Sequence, residues 1–298
     1  MPDYGQPLAF GVSVPPTAAD VRETLELCRA ADAAGLDLVG IQDHPYQRRY
    51  LDTLVLLGEV LARTERITAF PDVANLPLRP PAVLAKAAAS LDLLSGGRFE
   101  LGLGAGGFWD AIRAMDGPDR TPGESVDALR EAIAVIRLVW SEERSVSYEG
   151  RFHSLDGFKP GPAPVHAMGV WVGAYKPRML RLVGEVADGW VPSLFRGVGP
   201  ANLAEGSARI DEAAAAAGRD PAAVRRIYNV PGRVGGPDEG PFRGGVASWV
   251  EALAELALRD GVSGFVVWPD GDDARAQVER LGHEVAPAVR ERVAAVRR

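Results

Sequence analysis

Residues 67–103 read ITAFPDVANLPLRPPAVLAKAAASLDLLSGGRFELGL, and this stretch decides the fold. Ile67 to Val73 is a short apolar run, Pro81 to Leu94 carries helical periodicity, and Phe99 to Leu103 is apolar again. Pro81 suits a helix start, where the N–H that proline lacks has no partner within the helix anyway. A strand apolar on both faces, a helix, then another such strand is the repeating unit of a parallel sheet covered on both sides.

The unit recurs in both directions. Upstream, Leu8 to Val14 reads as a strand and Ala18 to Ala34 as a helix, with Thr17 as its N-cap and Gly35 as its stop. Leu38 to Gln42 and Thr53 to Arg63 form the next pair, and Glu124 to Trp140 supplies the helix after Phe99 to Leu103. The rhythm then breaks for a hairpin over Ser145 to Leu155, turned by Glu149-Gly150, and a Pro/Gly run up to Met168. Val170 to Val172, Trp190 to Pro192, Ile227 to Val230 and Phe265 to Trp268 are four more strands. Helices follow them at Pro177 to Val186, Leu203 to Ala217, Val246 to Arg259 and Asp273 to the C-terminus. Eight strand–helix units without a linker or a shift in composition predict the α/β class. They favour a closed (β/α)8 TIM barrel spanning residues 1–298 as one domain.

The chain has 298 residues, 47% hydrophobic and 24% charged, enough apolar material for such a core. Its net charge of −7 argues against unspecific binding to nucleic acid or anionic membranes, but leaves room for a local basic site. The scattered Trp and Tyr residues make no stacking platform with basic side chains, which again disfavours nucleic acid. Nowhere do about 18 apolar residues run without a charge, so no membrane span is expected. Met1 to Gln6 is polar and lacks the pattern of a signal peptide, so the default expectation is cytoplasmic. A single cysteine, Cys28, excludes an intrachain disulfide and reads as core. His44, His153, His166 and His283 have no metal-ligand spacing, and no metal is expected.

Three segments could carry chemistry. Asp43-His44 lies at the C-terminal end of the second strand, the catalytic edge of a barrel, where a histidine titrating near neutrality could give or take a proton. A structural pairing of that histidine is the competing reading. Gly102 to Gly107 satisfies G-x-G-x-x-G after a strand, but Asp116-Gly117-Pro118 interrupts the helix a dinucleotide fold requires. Close approach of backbone to a flat ligand explains those glycines better. Val172 to Arg178 runs from a strand through small residues into a helix with Pro177 in its first turn. Free amide N–H groups there, with Lys176 and Arg178, would suit a phosphate; a plain loop–helix junction is the alternative. Gly and Pro fill nine of the fifteen positions of Pro231 to Gly245, which reads either as a mobile loop over the active face or as an ordinary surface loop.

Taken together, several motifs resemble the bacterial luciferase-like oxidoreductases. They are Asp43-His44, Arg79 to Lys86, Leu91 to Gly106, and Val172 to Tyr175 continuing through Ala187 to Trp190. The resemblance implies a TIM barrel with an insertion after the fourth strand–helix unit, binding coenzyme F420 or, alternatively, FMN. It implies that His44 handles a proton beside the ring and that Asp43 adjoins the cofactor. Asp72, Val73 and Ala74 would form a bulge, commonly with a non-proline cis peptide, behind the ring. Gly104, Ala105, Gly106 and Gly107 would line the ring edge. Gly173, Ala174 and Tyr175 would cradle the phosphate, with Lys176, Arg178 and Arg196 as a basic rim. The family's sugar-phosphate dehydrogenases carry a Thr and an acidic residue where this chain has Ala105 and Gly107. A glucose-6-phosphate type of reaction is therefore disfavoured, and Phe108 and Trp109 suggest an apolar or aromatic substrate pocket, or simply packing.

Three functions follow as expectations. The first is an F420-dependent oxidoreductase moving hydride between the deazaflavin and a small organic substrate. The second is an FMN-dependent luciferase-like monooxygenase, and the third a non-catalytic binder of a phosphorylated ligand. Asp43-His44 and the heavy use of Ala, Arg, Gly and Val favour the first. The family's habit and the abundant apolar helices suggest a homodimer.

Overall fold

A computed structural model describes residues 3–298; Met1 and Pro2, the first residues of the polar N-terminal stretch, lie outside the described residues. The chain begins β1 (Ala9–Ser13), α1 (Val21–Ala33), β2 (Leu38–Ile41), α2 (Thr53–Arg63), β3 (Thr68–Pro71), β4 (Ala74–Asn75) and α3 (Pro81–Ser95). It continues β5 (Leu101–Gly104), α4 (Trp109–Ala114), α5 (Pro122–Val139), β6 (Val146–Glu149), β7 (Ser154–Phe158), β8 (Val170–Val172) and α6 (Pro177–Val186). It ends β9 (Gly189–Trp190), α7 (Pro200–Ala216), β10 (Arg225–Val234), β11 (Arg243–Gly244), α8 (Val246–Asp260), β12 (Gly264–Pro269), α9 (Ala274–Arg280) and α10 (Ala286–Arg297).

The parallel sheet runs β3-β2-β1-β12-β10-β9-β8-β5-β4. Its first and last members are two halves of one strand, split at the cis Asp72-Val73 peptide. β4 pairs with β5, and a parallel bridge joins Ala69 to Phe99, so the ring closes on itself as a barrel. β6 and β7 form a separate antiparallel pair between α5 and β8. Glu131 on α5 accepts the N–H groups of Arg151, Phe152 and His153 and so pins the hairpin's turn.

Two cores hold the barrel. Inside it, Leu38, Phe70, Trp171, Val191, Ile227 and Val266 fill the lower part, with Phe70 and Trp171 edge to face at 5.2 Å. Fully burying each of these side chains contributes roughly 1.5–3 kcal/mol. Space for them comes from glycines on neighbouring strands: a Cβ at Gly102 would lie 2.0 Å from the Pro71 carbonyl oxygen. Outside the barrel, Phe10, Val12, Leu57, Ile133 and Phe265 belong to the layer between strands and helices, with Cys28 fully buried among them. Burial pushes the Cys28 thiol up to about 12, as an inert core residue requires.

The element boundaries expected from sequence need three corrections. α1 starts at Val21, because the Asp20 carboxylate caps the Glu23 N–H at 2.9 Å; Thr17 instead bridges to Tyr50. The terminal helix is interrupted by a π turn at Leu281–Val285, next to Pro287, which cannot donate to the preceding turn. Pro231 to Val234 prolong β10, and β11 pairs with it, so the two ends of the Gly/Pro-rich tract are sheet and its middle is loop.

Candidate active site

The strand ends on one face of the barrel surround a cavity of about 560 Å³. Residues from behind β2, β3, β5, β8 and β9 reach it, together with Asn229 of β10 and Trp268 of β12. The sequence-predicted residues Asp43, His44, Asp72, Val73, Ala74, Gly104, Ala105, Gly106 and Gly107 all line it. So do Phe108, Trp109, Gly173, Tyr175, Lys176 and Arg196.

Asp43 is 3% exposed, and its carboxylate is committed to the protein. Arg79 donates to it through Nε at 2.6 Å and Nη2 at 2.7 Å, and the Asn75 N–H donates at 2.8 Å. Arg79 also donates to Asp52, the N-cap of α2. This bidentate pair locks the loop after β2 to the entries of α2 and α3. Asp43 therefore holds the neighbouring His44 in place while its own oxygens are occupied.

His44 Nδ1 lies 2.7 Å from the Tyr46 hydroxyl, and its ring meets Phe108 edge-on at 5.6 Å. Burial lowers its pKa below the usual 6.5; Asp43 opposes that and Arg196 adds to it. At neutral pH the imidazole is thus uncharged and able to accept a proton. Tyr46 packs at a tilt against both His44 and Phe108, and burial pushes its hydroxyl up to about 12. Its position, two residues beyond His44 across Pro45, was the one signal that could have drawn attention to it.

At the floor, Asp72 Oδ1 accepts from Asn229 Nδ2 at 3.1 Å, and Asn229 Oδ1 accepts from Trp268 Nε1 at 2.7 Å. Asp72 Oδ2 is buried without a partner, and desolvation pushes the carboxyl up to about 7. Phe195 closes edge-on over Trp268 at 5.1 Å. The cavity consequently has aromatic walls over a polar floor. Asn229, Trp268 and Phe195 left no local trace in the sequence, since the chain of contacts from Asp72 through Asn229 and Trp268 to Phe195 forms only when the barrel closes.

The glycine strip behaves as a backbone surface. A Cβ at Gly104 would press within 2.8 Å of Val73, whereas one at Gly107 would meet nothing within 4 Å. Gly106, at φ +95°, has its Cα covered by the Trp109 ring. Across the cavity, the N–H groups of Ala174, Tyr175 and Lys176 have no acceptor in the described hydrogen bonding. Trp190 fixes that turn by donating to the Ala174 carbonyl at 2.9 Å. Lys176 sits at the rim, and Arg196 lies over the Phe108 ring at 5.4 Å.

Two expected positions fall outside the cavity. Arg178 turns away on α6 to pair with Asp127 at 2.5 Å and with the Gly123 carbonyl, because both lie across the helix interface. Ala174 has its side chain fully buried, so it can offer a ligand only its backbone. The Pro231 to Gly245 tract contributes no lining residue. Among the described residues no group of three His, Cys, Asp or Glu could hold a metal ion, and no helix is long and apolar enough to cross a membrane.

The sequence profile of the luciferase-like monooxygenases matches residues 7–239. An F420-dependent glucose-6-phosphate dehydrogenase of Kineococcus radiotolerans is 31% identical over 202 residues, covering 65% of this chain and 59% of that enzyme. A 5,10-methylenetetrahydromethanopterin reductase of Archaeoglobus fulgidus is 32% identical over 165 residues, covering 54% and 46%. The chain thus spans less than two thirds of the length of these curated relatives. Among solved structures, an F420-dependent secondary alcohol dehydrogenase in complex with an F420-acetone adduct superposes with a TM-score of 0.84 at 17% identity. That superposition covers 95% of this chain and 99% of the other, and shares the barrel fold.

Proposed function

This chain belongs to the luciferase-like monooxygenase family, and on that premise we propose that it is a coenzyme F420-dependent oxidoreductase acting on a small organic substrate. The observation that carries the reading is His44, uncharged and half-buried beside an open strip of glycine backbone. Relatives and a structural neighbour named for F420 support the choice of cofactor. The residues fit such a group. Gly107 and the Gly104 backbone leave a flat face beside Val73, and the unbonded N–H groups of Ala174, Tyr175 and Lys176 suit its phosphate.

When bound, the deazaflavin would supply the carbon that accepts or donates hydride. His44 would then give or take the accompanying proton at the substrate heteroatom. Phe108, Trp109, Phe195 and Trp268 would exclude water and press an apolar substrate body against the polar floor. Ala105 and Gly107 bring no acid to the end of the fourth barrel strand, which points away from sugar phosphates and toward alcohols, enones and imines.

Anaerobic assays with oxidised F420 and a panel of alcohols test the reading through loss of the deazaflavin's visible absorption. Turnover is expected, and His44→Ala should lower it by roughly 10²–10⁴-fold, the usual scale for a general acid or base, with little change in cofactor affinity. Equal turnover in the variant would remove His44 from the chemistry. Turnover that instead requires FMN and oxygen would favour monooxygenation, and ligand binding without any turnover would favour a binding protein.

A further inference from the structure

The amide of Asn229 has one orientation. The indole Nε1 of Trp268 is a donor only, so the atom it meets at 2.7 Å is the Asn229 oxygen, and the Asn229 nitrogen faces Asp72 Oδ1 at 3.1 Å. Asp72 Oδ1 is therefore an acceptor. Oδ2 is buried and receives no hydrogen bond, although Asp72 as a residue is partly open and lines the cavity.

Nothing around that oxygen supports a negative charge. It packs over Gly40, where a Cβ would come within 3.1 Å of it. Ser13, level with Gly40 on the neighbouring strand, has a buried hydroxyl that makes no hydrogen bond either. Tyr175, in the turn before α6, feels the charge of Asp72; burial first, then that charge, pushes its hydroxyl up to about 12. Among the described residues no lysine or arginine pairs with Asp72. An anion here would hold one hydrogen bond and no counter-charge. The neutral acid instead puts its proton on Oδ2 and leaves Oδ1 to accept from Asn229. Desolvation, which pushes the carboxyl up to about 7, agrees with this. Leu38, Phe70 and Val266 fill the barrel below, so an acceptor for the Oδ2 proton comes from the cavity side.

We propose that Asp72 binds as a neutral acid, donating from Oδ2 to an acceptor atom (a carbonyl oxygen or an imine-type nitrogen) of a flat heteroaromatic ring seated beside Val73. That the ring is a deazaflavin, whose dione edge carries such acceptors, rests on the proposed F420 chemistry. Binding is then coupled to a proton. Near pH 8 the unliganded carboxyl is mostly ionised, and the ring draws a proton onto Asp72 as it binds; near pH 6 the proton is already there.

Infrared spectra of the cofactor-free protein, taken as wild type minus Asp72→Asn, should show a carboxylic-acid C=O band near pH 6 that fades near pH 8. Adding F420 near pH 6 should move that band to lower frequency, as the acid gains an acceptor. Calorimetric titrations with F420 near pH 8, in two buffers of different ionisation heat, should show the wild type taking up to about one proton more than Asp72→Asn. An asparagine at this position accepts from Asn229 through its oxygen and donates through its nitrogen. Its F420 affinity near pH 6 should stay within about twofold of wild type, whereas Asp72→Ala should lose roughly 5–10-fold, the scale of one hydrogen bond. Absence of the band, a band that F420 binds without moving, or equal proton uptake in wild type and Asp72→Asn overturns the proposal. If F420 does not bind, the same spectra with FMN decide. A band moved by FMN upholds the donor and counts against the proposed cofactor; a band that neither ring moves overturns the proposal.

Discussion

Asp72 shows how one side chain can be placed against its own charge. Its Oδ1 is held by Asn229, its Oδ2 faces no donor, and desolvation carries its carboxyl up to about 7. In the unfolded chain the group loses its proton near the ordinary 3.8. Between those values the folded state binds the extra proton, so stability falls as pH rises from about 4 to 7 and the loss is complete above it. Asp72→Asn keeps the shape and removes the titration. Thermal melts of the cofactor-free protein should therefore find the variant close to wild type near pH 4 and more stable by several degrees near pH 8. A gap that does not grow with pH would contradict a desolvated carboxyl whose Oδ2 has no partner. Sequence could not reveal this environment, because Asn229 and Trp268 come from strands on the far side of the ring. Asp43-His44 was legible, since adjacency and a strand end sufficed. Asp43's commitment to Arg79, 36 residues on, was not.

At the scale of elements, the alternation of apolar runs and helical periodicity located the eight barrel strands and most of the helices. Errors gathered where a tertiary contact overrides local preference. Asp20 outcompetes Thr17 as the cap of α1, and β10 runs on through Pro231 and Gly232 because β11 returns to pair with it. The turn before α6 was legible from its small residues and Pro177, but the direction of Arg178 depends on Asp127 of the neighbouring helix. That leaves Lys176 and Arg196 as the basic side chains at the cavity rim. F420 affinity should accordingly weaken severalfold as salt rises from about 0.05 to 0.5 M, over which range screening shortens to a few ångströms. Lys176→Ala should flatten that dependence in fluorescence titrations. Affinity indifferent to salt would exclude a contribution from the rim.

For the whole molecule, closure of the ring through the Ala69–Phe99 bridge and the β4–β5 pairing brings residues from seven strands to one cavity. The fold could be read from repetition because each strand–helix unit carries its own signal. The composition of the cavity could not, because it is a sum of single side chains far apart in the chain. The central claim, that this cavity is built for coenzyme F420, is tested most directly by separate titrations of the protein with F420 and with FMN. Trp109 and Trp268, both in the cavity lining, make quenching of tryptophan fluorescence a direct readout. The account predicts saturable quenching by F420 at concentrations well below those at which FMN acts. Preference for FMN, or quenching by neither, would contradict it.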